Sequence, residues 1–301
     1  MQKFHITATG HSLNYLPEYV ATWQGFFAEE ELTVSATVPS PWDRVLEELR
    51  DGSADAALGG IWVPSMYRDR STLYSPFAQV ANRAPLAVVG REAPEDFSWS
   101  SLVGRTVSMK GSNGASVGMY VKLVLRENGI DPREVNFIQD LDGAMLSTLF
   151  AGGMGDYLVV DHPSALTLAA TSGVHVVAAL AVGSGDVPWS VYYSEGESDA
   201  GRVDLQARFC RALGRGMDWI NERPAAGYRD FLATTFPKFD ADLLVRIADE
   251  YRGCSMWTTP VIDRAGYERW AGGIAASHLV NAAIAYGDIV DSRPTALLAA
   301  R

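Results

Sequence analysis

Three strand-like runs near the start of the chain are separated by helix-length segments, and that spacing restricts the fold more than any other feature. Phe4–Thr9 reads as a strand that closes on Gly10-His11-Ser12. Residues 17–31 follow as a helix with Tyr19, Val20, Trp23, Phe26 and Phe27 on its apolar side. "LTVSATV" (32–38) is a second strand. In "SPWDRVLEELRDG", Ser40 reads as an N-cap, Pro41 as the first helical residue and Gly52 as the stop. Ala54–Leu58 is a third strand, closed by Gly59-Gly60. Strands alternating with helices in this way pair in parallel and build an α/β sheet.

The rhythm repeats further on. "GRTVSMKG" is a strand, Ser116–Asn128 a helix stopped by Gly129, and "EVNFIQ" a strand. "GAMLSTLFAGG" is a short helix, "DYLVVDHP" a strand ending at Pro163, and "VHVVAAL" another strand. After Pro188 the pattern turns helical at 199–222, 224–235, 240–252 and 264–276. Two extended segments, 77–92 and 186–195, bracket the second set and read as antiparallel hinge strands between two lobes. The expected division is 1–84 (first lobe), 85–188 (second lobe) and 189–301 (return to the first).

Composition removes several classes of function. The 301 residues are 48% hydrophobic and 20% charged, which suits two packed cores rather than disorder. A formal charge of −11 argues against nucleic acid, whose phosphates require a basic face. Lys is confined to Lys3, Lys110, Lys122 and Lys238, so a bound anion would meet Arg, hydroxyls or backbone N–H groups. Cys210 and Cys254 show no C-x-x-C spacing and read as buried thiols. No apolar run reaches the ~18 residues of a membrane helix. "MQKFHITATG" has neither the apolar core nor the cleavage site of a signal peptide. The expectation is a cytoplasmic protein, or an extracytoplasmic one if the chain is a mature form.

Ligands in open α/β sheets sit beyond the carboxyl ends of the strands. That rule selects Gly10–Tyr15, Pro39–Trp42 and Gly59–Trp62 in the first lobe, and Gly111–Ala115 and Asp161–Pro163 in the second. "KGSNGAS" opens a helix with small residues whose N–H groups suit an anion, with Ser112 and Asn113 as added donors. A plain capping loop, with Ser116 as N-cap, is the competing reading. Trp42, Trp62 and Trp189 fall at loop or hinge positions and could clasp a planar ligand or pack lobe against hinge. Asp161 and His162 could orient a polar group or exchange a proton, or form a hydrogen-bonded turn. His5, His11, His162, His175 and His278 lack metal-ligand spacing, so no metal is expected.

The strand–turn–helix at Gly10-His11-Ser12 has the outline of a nucleophile elbow. Only one strand precedes Ser12, so half of the oxyanion hole has no source, and Asn14 stands where that motif needs Gly. A hydrolase is set aside on these grounds.

Taken in order, "YLPEYVATWQGFFAEEELTV", "VLEELRDGSADAALGG", "FSWSSLVGRTVSMKGSNGAS", "AGGMGDYLVVDHPSA" and "TTPVIDRAGYERW" resemble the NMT1/THI5-like, aliphatic-sulfonate-type solute-binding proteins. The resemblance implies an α/β, two-lobed fold of the type 2 periplasmic-binding class, with two hinge strands and a ligand cleft between the lobes. It implies that the protein binds a small anionic or heteroaromatic ligand without turnover and without a cofactor. An ABC permease would partner an exported form, and the chain would be a monomer or weak dimer. The implied ligand contacts are His11, Ser12, Asn14, Tyr15, Trp42, Gly60, Trp62, Ser112, Asn113, Asp161, His162 and Trp189. Trp62→Ala and Asn113→Ala are expected to weaken binding with little loss of stability.

The resembled superfamily also holds cytoplasmic enzymes. Its sulfinate desulfinases use a Cys in the first loop, where this chain has His11 and Ser12, and an Arg where it has Ala57. Its pyridoxal-phosphate members need a Lys that the first three loops lack. The enzymatic alternative is therefore a cofactor-free lyase or decarboxylase-like activity on a small aromatic or heteroaromatic acid, with His11, Ser12 or His162 as candidate catalytic groups.

Overall fold

The computed structural model describes residues 1–68, 70, 72–93, 97–110, 115–139 and 143–300. The chain forms two compact units. The first comprises Met1–Arg83, Asp186–Gly227 and Ser255–Arg301; the second comprises Ala84–Gly185 and Tyr228–Cys254. The expected first-lobe return was continuous from 189 to 301, but Tyr228–Cys254 groups with the second unit instead.

The first unit is built on five strands: β1 (Gln2–Ala8), β2 (Leu32–Thr37), β3 (Ala56–Gly59), β4 (Tyr74–Ala81) and β10 (Ser190–Glu195). Their order is β2-β1-β3-β10-β4. β1 runs parallel to β2 and β3, as the helix-length spacers require, while β10 is antiparallel to both β3 and β4. The second unit has β5 (Leu86–Gly90), β6 (Thr106–Met109), β7 (Asn136–Ile138), β8 (Tyr157–Asp161) and β9 (His175–Ala179). Its order, β7-β6-β8-β5-β9, repeats the first sheet with β5 as the antiparallel strand. Each sheet thus receives its reversed strand from chain that has just left the other unit: β5 follows β4, and β10 follows β9. The expected hinge run 77–92 is consequently split at residues 82–85 between β4 and β5, and it is β4 that pairs with β10.

Aromatic packing fixes the first core. Phe209, fully buried on the helix Ala200–Asn221, has its ring 4.7 Å from Phe4, 4.8 Å from Tyr192 and 5.1 Å from Phe27. The three longest helices after Pro188 begin where carboxylates cap them. Asp199 accepts from Arg202 N–H, Asp240 from Asp242 and Leu243 N–H, and Asp263 from Gly266 N–H.

Other local expectations change. The first helix ends at Trp23 and a short turn Phe26–Glu29 follows Gly25, whose φ is +77°. Ser40 caps nothing, because Pro41 is extended at ψ 159° and a 3-10 turn Trp42–Arg44 precedes the helix Val45–Arg50. Ser116 is the first residue of its helix and Ala115 occupies the cap position without a side-chain bond. β8 stops at Asp161, not at Pro163. Cys210 is buried, but Cys254 is only half-buried. Among the described residues no helix is long and apolar enough to cross a membrane.

Candidate functional site

The carboxyl ends of β1 and β3 bring the first and third loops together. Thr9 N–H donates to the Leu58 carbonyl at 2.9 Å, and a β-carbon at Gly59 would lie 3.0 Å from Thr9 Cγ2. Because β10 is antiparallel to β3, its first residue arrives at the same edge. Ser190 Oγ there accepts from Asn14 Nδ2 at 3.1 Å, while Asn14 Oδ1 accepts from Ser12 Oγ at 2.5 Å. Asn14 also offers its backbone carbonyl to Trp257 Nε1 at 2.9 Å. Its side chain and carbonyl therefore tie the first loop to β10 and to the segment bearing Trp257. Tyr15 is buried beside it.

Outside this buried layer the surface is formed by exposed His11, half-buried Ser12 and half-buried Trp42. The His11 ring lies 4.9 Å from Tyr19, whose hydroxyl accepts from Ser12 N–H at 3.4 Å. Trp42 meets Trp62 edge-on at 6.3 Å. Trp62 is only 8% exposed, and its ring covers Gly60 so closely that a β-carbon there would lie 2.5 Å from Cδ1. The expectation that Trp62→Ala would spare stability is therefore corrected: truncating a ring buried to this extent leaves a cavity. Trp189, half-buried, stacks on buried Trp270 at 6.2 Å.

In the first turn of the following helix, Glu18 is buried and accepts from the Tyr192 hydroxyl at 2.6 Å. Burial pushes its carboxyl up to about 7, and the tyrosine hydrogen bond offsets part of that rise.

In the second unit Asp161 and His162 turn to different hydrogen-bond and ring partners. Asp161 caps the helix His162–Ser172, accepting from Ser164 N–H at 3.0 Å. His162 turns inward and is 2% exposed, with its ring 5.9 Å from Tyr251 and Nε2 3.7 Å from Glu250 Oε2. Nδ1 has no hydrogen-bond partner. Burial, reinforced by Arg246 and opposed by Asp161, lowers the imidazole to about 4, so it is neutral at physiological pH. The D-H-P-S string carried the capping signal, an acid followed by Pro in the first turn. Ser112 and Asn113 lie outside the described residues. Among the described residues no three His, Cys, Asp or Glu side chains are grouped to hold a metal ion.

Sequence reasoning missed Thr9, Ser190, Trp257 and Tyr19 in the first unit, and Glu250 beside His162. Ser190 opens a strand that was recognised, yet only the antiparallel pairing of that strand brings it to the first loop.

A family model described as NMT1/THI5 like matches residues 12–226. The chain is 29% identical over 258 residues to a Bacillus subtilis (strain 168) protein named "Putative binding protein YtlA", covering 84% of this chain and 76% of that one. The periplasmic aliphatic sulphonate binding protein SsuA from Escherichia coli superposes with a TM-score of 0.69 at 14% identity, over 96% of this chain and 97% of that one. The desulfurization enzyme DSZB gives a TM-score of 0.68 at 12% identity over 100% of each chain. At such identities the structural likeness carries the fold, which is that of the periplasmic binding proteins, and not the chemistry.

Proposed function

The chain belongs to the NMT1/THI5-like family, and from that premise we propose that it binds a small organic ligand, anionic or heteroaromatic, as a solute-binding protein does. The observation that carries this reading is the convergence of the first loop, the third loop and the start of β10 at one strand-end edge, joined through Thr9 and Asn14. The surface held by that layer (His11, Ser12 and Trp42) is where the ligand contacts the first unit. Asn14, Tyr15, Gly60 and Trp62 support it from below. Trp189, stacked on Trp270, is assigned a supporting part as well. For Asp161, a helix cap, and for buried His162 the proposed contact role rests on the sequence. The proposed roles of Ser112 and Asn113 rest on the sequence. The relatives named for binding, YtlA and the sulphonate-binding SsuA, support the same reading. An ABC permease is the partner it implies for an exported form.

The test is ligand binding by calorimetry against alkanesulfonates, aromatic carboxylates and pyrimidines. Trp42→Ala is expected to weaken the best ligand about tenfold, the loss of one aromatic contact. Asn14→Ala is expected to weaken it as well and to cost about 1–3 kcal/mol of stability, because Ser190 and Ser12 lose their buried partner. Unchanged affinity in both variants would show that the ligand does not meet this edge.

A further inference from the structure

The second unit holds a cavity of about 560 Å³ that none of the residues discussed as ligand contacts lines. Its size falls in the ~300–1,000 Å³ range of small-molecule sites. Phe97 and Trp99, edge to face at 5.5 Å, form one wall. The end of β9 and the following turn form the other, through Ala178, Ala179, Leu180 and Val182. Val182 is 53% exposed, an apolar side chain facing water at the rim.

The polar groups of this cavity are unevenly available. Ser184 Oγ donates to the Leu180 carbonyl and shares a bond with the Tyr120 hydroxyl at 2.8 Å. Ser98 Oγ lies 2.7 Å from Ser100 Oγ within a capping box. Both hydroxyls already serve local structure. Among the described residues Glu250 is the one charged residue of the lining, with a side chain 39% exposed. Its neighbour His162 does not compensate it, since 3.7 Å is too long for a hydrogen bond and the buried imidazole is neutral at pH 7. A carboxylate beside apolar and aromatic walls selects a positive charge on a hydrophobic body. An ammonium can pair with the carboxylate and lie against the electron-rich ring faces.

We propose that the cavity walled by Phe97, Trp99, Leu180 and Val182, with the carboxylate of Glu250 in its lining, is a binding site for a small organic ammonium carried on an aromatic or aliphatic body. The site belongs to the second unit alone. It does not rest on the proposed function, whose ligand is placed on the first unit.

The experiment titrates the full-length protein with 2-phenylethylammonium and, in parallel, with 2-phenylethanol and 3-phenylpropanoate, following the indole N–H resonances by NMR. The Trp99 resonance is assigned from Trp99→Phe. The ammonium compound is expected to shift the Trp99 signal saturably, the alcohol to bind more weakly and the carboxylate not to bind. Glu250→Gln, at a half-exposed position that it can occupy without burying new polar surface, is expected to lower affinity for the ammonium at least about tenfold. Val182→Lys, which brings a competing cation to the rim, is expected to lower it too. The proposal is overturned if the carboxylate binds as tightly as the ammonium. Unchanged ammonium affinity in folded Glu250→Gln, or saturable binding that leaves Trp99 unmoved, would overturn it equally.

Discussion

Glu18→Gln is expected to make the protein more stable at pH 8 by about 3 kcal/mol while leaving it unchanged near pH 4. The buried Glu18 carboxyl titrates at about 7 in the folded state, against an ordinary value of 4.5. Between those two values the folded chain holds a proton that the unfolded chain has released. Stability from this group is therefore complete below about pH 4.5 and falls as pH rises through about 7. A carboxamide has nearly the shape of the protonated acid, and its oxygen can accept from the Tyr192 hydroxyl as Glu18 now does. The substitution removes the ionisation and keeps the hydrogen bond.

His162 supplies a slope of the opposite sign over nearly the same range. Its imidazole is held down at about 4 against 6.5, so here the unfolded chain binds the extra proton, and stability is lost as pH falls from about 6.5 towards 4. His162→Gln is expected to remove that acid loss. In the wild type the two groups oppose each other, giving a flat profile from a balance of terms of about 3 kcal/mol each. Urea unfolding from pH 4 to pH 8 checks this: Glu18→Gln should show stability rising with pH, and His162→Gln stability falling. Parallel profiles for wild type and both variants would refute the balance.

The second large effect is steric. Gly216→Ala is expected to destabilise the first unit by about 3 kcal/mol. The helix Ala200–Asn221 crosses the helix Leu16–Trp23 at this residue, where a β-carbon would overlap the Pro17 carbonyl oxygen and press within 3.4 Å of Ala21 Cβ. Neither obstacle is a flexible side-chain end, so relief requires the backbones to separate. Gly214 in the same helix is the control, because its nearest neighbour is Pro260 Cγ at 3.4 Å, an ordinary contact. Gly214→Ala is expected to be neutral or to stabilise by about 0.5–1 kcal/mol through helix propensity. Equal denaturation midpoints for the two variants would remove the close-approach explanation.

These residues also show where the sequence was legible. The helices expected at 199–222, 240–252 and 264–276 stand within a residue or two of those bounds, and each is capped by the Asp that precedes it, a local chemical signal. The parallel pairing of β1, β2 and β3 followed from their spacers in the same way. What could not be read were choices made by distant chain. Asn14 meets Ser190 across 176 positions, and Glu18 meets Tyr192 across 174. Nothing near Glu18 in "YLPEYVATW" marks it as a buried acid. The reversed strands β5 and β10 reset the neighbours of every loop at the sheet ends, which is why Ser190 went unnoticed. Asp161 is legible as a cap because Pro163 stands in the first turn of the helix that it opens.

The central claim is that the chain holds a small organic ligand and releases it unaltered. Native mass spectrometry of the protein as purified, followed by incubation with the compound it carries, tests this directly. The account predicts a single small adduct, lost on denaturation and recovered with unchanged mass after prolonged incubation, and a smaller bound fraction in Trp42→Ala. A chemically changed product that depends on intact His11 or Ser12 would contradict it, and would make the same strand-end surface an active site.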